Sequence, residues 1–154
     1  MIGLILAIIL FNIIAFKMEK NLNRNQMLHI WLFTIAFQQT HDIVVEFKYG
    51  AYWYLTQDVD WVGLLAHTVL IPPVNVIFLN YFPFKKGFFK QSLYIGSWTL
   101  GILLYELLAL LPEPWGYFNY GWWKLQYSAI VDPILLLILV GFFKCIRKLE
   151  RYNK

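Results

Sequence analysis

Eleven of the thirteen Lys and Arg residues fall in three short clusters, and these separate five apolar stretches at every second gap. Lys17, Lys20 and Arg24 make the first cluster, Lys85, Lys86 and Lys90 the second, and Lys144, Arg147, Lys148, Arg151 and Lys154 the third. The remaining gaps hold only Lys48 and Lys124. Basic residues accumulate on the cytoplasmic side of membrane helices, so this alternation is the pattern of a multipass membrane protein. It sets class, span number and orientation together, and it names no reaction.

Composition agrees. A chain of 154 residues that is 60% hydrophobic, 19% aromatic and 14% charged has too little polar surface to cover a water-soluble fold of its size. The excess must face lipid, where only helices or closed barrels satisfy the backbone, and no strand alternation appears. The expected fold is therefore an all-α membrane bundle, one domain over residues 1–154, with five transmembrane helices near 2–17, 27–47, 61–82, 92–111 and 125–143. The N-terminus and residues 48–60 and 112–124 lie outside in this reading, and 18–26, 83–91 and 144–154 are cytoplasmic. The first apolar run precedes its basic cluster, the reverse of a secretory signal, and reads as a short retained span. Trp53, Trp61, Trp115, Trp122 and Trp123, with Tyr49, Tyr52, Tyr54, Tyr117 and Tyr120, fall at the outer interface as an aromatic belt. The net charge of +4 is accounted for by topology and anionic lipid, so nucleic acid is not an expected partner. The expected partners are the bilayer and, through exposed helix faces, other membrane proteins or further copies of the chain.

A polar layer is expected under the outer face. Counted from the span ends, Asp42, His67, Glu106 and Asp132 each sit roughly 8–10 Å below the outer boundary, one from each of four helices. Gln38, Asp42 and Glu46 recur every four residues on one face, with His41 beside it. Ser128 stands one turn from Asp132. Gly96, Ser97 and Gly101 offer a small surface for close helix contact. Ionisable groups are costly in a bilayer unless they face a polar interior, so these faces should turn inward. Pro72 and Pro73 lack N–H groups, which leaves the carbonyls of Thr68 and Val69 without helical partners and makes a kink or hinge. Asn12, isolated in the first span, is expected to tolerate Leu.

Three functions fit such a layer. It can be polar glue between helices, with Lys48 and Lys124 as counter-ions from the rim. It can be an outward-facing pocket for a polar solute or ion, gated at the double proline. Or His41 and His67, joined by Asp42, Glu106 or Asp132, can hold a metal for a membrane-embedded hydrolase. No HExxH, glycine-rich phosphate loop, CxxC or dinucleotide fingerprint is present. The expectation is a non-enzymatic bundle without cofactor or resident metal, binding a polar solute or ion or supporting a membrane assembly. A metal-dependent membrane enzyme is the alternative.

Short aromatic strings carry a resemblance. Asp42, Lys48-Tyr49, Tyr52-Trp53-Tyr54, Asn80-Tyr81-Phe82-Pro83, Tyr94, Tyr105-Glu106, Trp123-Lys124, Tyr127-Ser128 and the basic tail after Phe143 resemble an uncharacterised family of small multipass membrane proteins. That family occurs in Bacillus-like and clostridial spore formers. The likeness covers about residues 38 to 150. It implies a Gram-positive cell membrane and a connection with sporulation, and it brings no activity, ligand or catalytic residue. His41, His67 and the double proline are not part of the pattern.

Overall fold

A computed structural model of the chain describes residues 1–18, 21–57 and 61–152, without the side chains of Gln38, Gln39, Asp42, Ile43 and Val62. Lys20 and Lys154 of the basic clusters lie outside the described residues. Helix α1 is Ile2–Lys17, and α2 is Arg24–Asp42, running on into a π-helical turn, Ile43–Lys48. Helix α3, Trp61–Leu65, passes through a second π turn, Ala66–Leu70, into α4, Ile71–Tyr81. Helices α5, Phe88–Ala109, and α6, Leu125–Tyr152, complete the bundle.

Among the described residues, three segments are long and apolar enough to cross a membrane: Gly63–Tyr81, Phe88–Ala109 and Leu125–Tyr152. Helix α1 is apolar but has 16 residues, so it reaches about 24 Å against a hydrocarbon layer of about 30 Å. Helix α2 closes on the polar run Gln38-Gln39-Thr40-His41-Asp42. Helix α6 extends well beyond the expected end near residue 143, because Phe143 and Ile146 stay buried and continue its inward face.

The α3–α4 segment is central: 61% of its most apolar window is buried, against 17% for α5 and 28% for α6. Val76, Phe78 and Leu79 of α4 pack with Ala15, Ile30, Leu139 and Phe143 from three other helices. Polar stitches fix the packing, with Asn75 Nδ2 donating to Thr34 Oγ1 (3.0 Å) and Tyr94 Oη to the Phe78 carbonyl (2.9 Å).

Pro72 and Pro73 are fully buried in the first turn of α4. The π turn ahead of them ends with the Ile71 N–H bonded to the Ala66 carbonyl. The Val69 carbonyl, which Pro73 cannot serve, accepts a hydrogen bond from Asn12 Nδ2 at 3.0 Å. Asn12 also donates to the Ile8 carbonyl at 2.8 Å. The expectation that Asn12 is dispensable is therefore corrected, since its amide supplies the donor that the proline removed.

The basic segments meet at one end of the bundle. The Asn21 N–H and side chain bond to Asn80 (2.7 and 3.0 Å), Asn23, Asn25 and Gln26 donate to the Glu150 carboxylate, and the Arg147 guanidinium lies 5.1 Å over the Phe84 ring. At the opposite end the two remaining inter-helix segments pair. Strands β1, Tyr52–Tyr54, and β2, Phe118–Tyr120, form an antiparallel ribbon with Tyr52 opposite Tyr120 and Tyr54 opposite Phe118. The fold is all-α as expected, and this ribbon is a small addition to it, because three-residue strands outside the spans are too short to show alternation in the sequence. Glycine is required at the ribbon's end: Gly50 has φ +59°, and a Cβ on Gly121 would lie 2.2 Å from the Gly50 carbonyl oxygen.

The small-residue face is also corrected. A Cβ placed on Gly96 or Gly101 would meet nothing within 4 Å, so no neighbouring helix presses on them, and α5 turns Ile95 and Thr99 inward instead.

Candidate outer-layer site

The ribbon covers two carboxylate groups of different character. In the first, Glu46 lies in the π turn after α2 and His67 lies in the π turn before α4. Their side chains face at 3.5 Å between Oε2 and Nε2, an ion pair when the imidazole is protonated, and each is about 5% exposed. The Tyr54 N–H donates to Glu46 Oε1 (3.3 Å), and the Tyr54 ring stands edge-on to the imidazole at 4.7 Å. Each π turn inserts an extra residue per turn and so re-aims one polar side chain. This pair is sealed.

The second group joins α5, α6 and β2. Glu106 Oε1 accepts hydrogen bonds from Tyr120 Oη and from Ser128 Oγ (2.8 Å), and Ser128 accepts from Trp123 Nε1 at 2.8 Å. Asp132, one turn along α6 from Ser128, interacts electrostatically with Glu106, and its Oδ2 has no hydrogen-bond partner among the described residues. Glu106, Asp132 and Tyr120 are only half-buried. Burial, reinforced by the hydrogen bond to Glu106, pushes the Tyr120 phenol well above its ordinary value. Burial likewise raises Tyr117, which pairs with the Tyr105 hydroxyl.

The expected layer thus resolves into partners. Glu46 meets His67, and Glu106 meets Ser128 and Asp132, while His41 Nδ1 sits 3.2 Å from the Tyr52 hydroxyl. The side chains of Gln38 and Asp42 lie outside the described residues. Lys48 is exposed beside the Tyr49 ring, and neither Lys48 nor Lys124 forms an ion pair with a described carboxylate, which corrects their reading as counter-ions. Among the described residues, no three His, Cys, Asp or Glu side chains are grouped so as to hold a metal ion.

Tyr52, Tyr54, Tyr120 and Trp123 are the functional residues that the sequence concealed. Each reads as an interfacial anchor, and each instead turns a hydroxyl, ring or N–H onto a layer residue. The usable signal was the Tyr-x-Tyr spacing at 52–54, which puts two phenols on one face of a strand.

Compared with protein-family models, with curated proteins and with solved structures, the chain matches none of them.

Proposed function

We propose that the chain is a five-span protein of the cell membrane, N-terminus outside and C-terminus cytoplasmic, that binds a small cation at Glu106 and Asp132. Orientation is supported by the gathering of the basic segments at one end and of the aromatic ribbon at the other. The short α1 and polar-ended α2 cross as members of the bundle, sheltered by α4 and met by local bilayer thinning.

One observation carries the binding reading. Ser128, one turn from Asp132 on α6, donates to Glu106 on α5, so the two half-buried carboxylates belong to one cluster; one Asp132 oxygen is unpartnered, and neither carboxylate is ion-paired to a described cation. Two carboxylates in one partly buried cluster need a shared proton or a bound cation. The donors present, Tyr120 and Ser128, are already directed at Glu106, so the remaining coordination is acceptor-only and suits a cation rather than an anion. Glu46 and His67, by contrast, are of opposite charge type, face each other at 3.5 Å in a sealed place and act as structural glue. The enzyme alternative gains nothing from this geometry, since His41 and His67 are engaged with different partners. A role connected with sporulation rests on the resemblance alone.

The test is an unfolding midpoint measured against Na⁺ or K⁺, with ionic strength held constant by a bulky organic cation. Binding to the folded state alone adds about 2.7 kcal/mol at a hundredfold excess over Kd. The reading predicts cation-dependent stability that disappears in Asp132→Asn. A midpoint indifferent to cation identity and concentration returns the whole layer to glue.

A further inference from the structure

Helices α1 and α5 share little packing: α1 packs on α4 and its π turn, and α5 on α6. The seam between them at the ribbon end is a groove of about 320 Å³, walled by Leu6, Ala7, Leu10, Leu108, Ala109 and Leu111. Its upper end is closed where the Gly3 N–H bonds to the Pro114 carbonyl, with Gly3 packed against the Trp115 backbone. Next to the groove, Phe11 meets the lining residue Tyr105 edge-on, centroids 5.6 Å apart. The floor carries the Tyr105 and Tyr117 hydroxyls, which are satisfied by each other. Leu6, Leu10, Leu108 and Leu111 on the rim are all exposed.

We infer that this seam seats one acyl chain of a phospholipid from the leaflet at the ribbon end. Ordered water needs two or more polar partners, and this groove offers none that are unspent. The groove is open sideways, and exposed leucines flank the opening. In a bilayer its mouth therefore faces hydrocarbon, and the chemistry that fills it is an alkyl chain. The polar end of such a lipid lies at the level of Trp115, an interfacial residue by type. Short α1 favours the same arrangement, because a chain lying in the seam covers the flank that the helix leaves beside α5. The inference does not depend on the cation site.

The test reconstitutes the full chain in phosphatidylglycerol and phosphatidylethanolamine vesicles with a trace of phosphatidylglycerol bearing a diazirine in its acyl chain. Adducts after illumination are mapped by mass spectrometry. They should concentrate on Leu6, Leu10, Leu108 and Leu111, and be lost from these sites in Ala7→Phe and in Leu108→Trp. Leu108→Trp alters an exposed residue and preserves folding even if Ala7→Phe does not. Leu137→Trp, exposed on α6 and not part of the groove, should leave labelling unchanged. Adducts spread evenly over Leu100, Leu104 and the groove leucines, or labelling unaffected by Leu108→Trp, would overturn the assignment in favour of ordinary annular lipid.

Discussion

Replacing Asn12 by Leu removes the donor that serves the Val69 carbonyl, and the proline two places into α4 ensures that no backbone N–H takes its place. An acceptor left unsatisfied in an apolar interior costs about 1–3 kcal/mol. Interhelical hydrogen bonds in membranes average only about 0.6 kcal/mol and reach about 1.7, because the unfolded chain usually finds other partners. The Val69 carbonyl belongs at the upper end of that range, since its helical donor is missing by covalent structure. We expect Asn12→Leu to destabilise the bundle by about 1.5 kcal/mol. In a Pro73→Ala background residue 73 regains an N–H one helical turn from Val69, and the same Asn12→Leu change should then cost little. A double-mutant cycle by reversible SDS unfolding in mixed micelles should therefore show a coupling of about 1 kcal/mol. Additivity of the two substitutions to within about 0.3 kcal/mol would refute the claim that Asn12 repairs the proline break.

Three further outcomes are expected. Glu46→Leu removes the carboxylate facing His67 and should cost about 3–5 kcal/mol in the same unfolding assay, whereas Glu46→Leu with His67→Leu should recover most of it. The Tyr120 phenol is raised in the folded state, so its contribution is complete below the ordinary phenol value and is lost as pH rises past about 10. Alkaline unfolding should accordingly be less steep in Tyr120→Phe, with phenolate absorbance reporting the titration. At the opposite end, the Gln26 hydrogen bond, helped by those from Asn23 and Asn25, holds Glu150 below the usual carboxylate range. That contribution is present above the ordinary carboxylate value and fades as pH falls through the lower folded one, so Gln26→Ala should blunt acid destabilisation, by a small amount because Glu150 is solvated.

The helices were legible because lipid imposes them. The expected spans starting at Ile2, Trp61 and Leu125 begin where helices α1, α3 and α6 begin, and α5 starts at Phe88, four residues before the expected Ser92. Depth counting put Glu106 and Asp132 at one level, since residue rise along a helix is fixed, and Ser128, one turn from Asp132, does reach Glu106. It failed to pair Glu46 with His67. Each sits in a π turn, whose extra residue shifts side-chain direction in a way a regular helical count does not contain. The ribbon was hidden for a different reason. Tyr52-Trp53-Tyr54 has the composition of an interfacial belt, and its partner is Phe118-Asn119-Tyr120, with Phe118 lying 64 residues beyond Tyr54, a long-range pairing that no local pattern records. Asn12 was misjudged because a lone polar residue in an apolar helix reveals its acceptor only when the neighbouring helix is in place.

The most direct test of the cation site is an infrared difference spectrum recorded while a bulky organic cation is exchanged for Na⁺ or K⁺ over the reconstituted protein. Carboxylate stretching bands should shift on exchange, persist in Glu46→Gln, and vanish in Asp132→Asn. A flat difference spectrum, or bands unchanged by Asp132→Asn, would contradict the assignment of Glu106 and Asp132 as the binding pair.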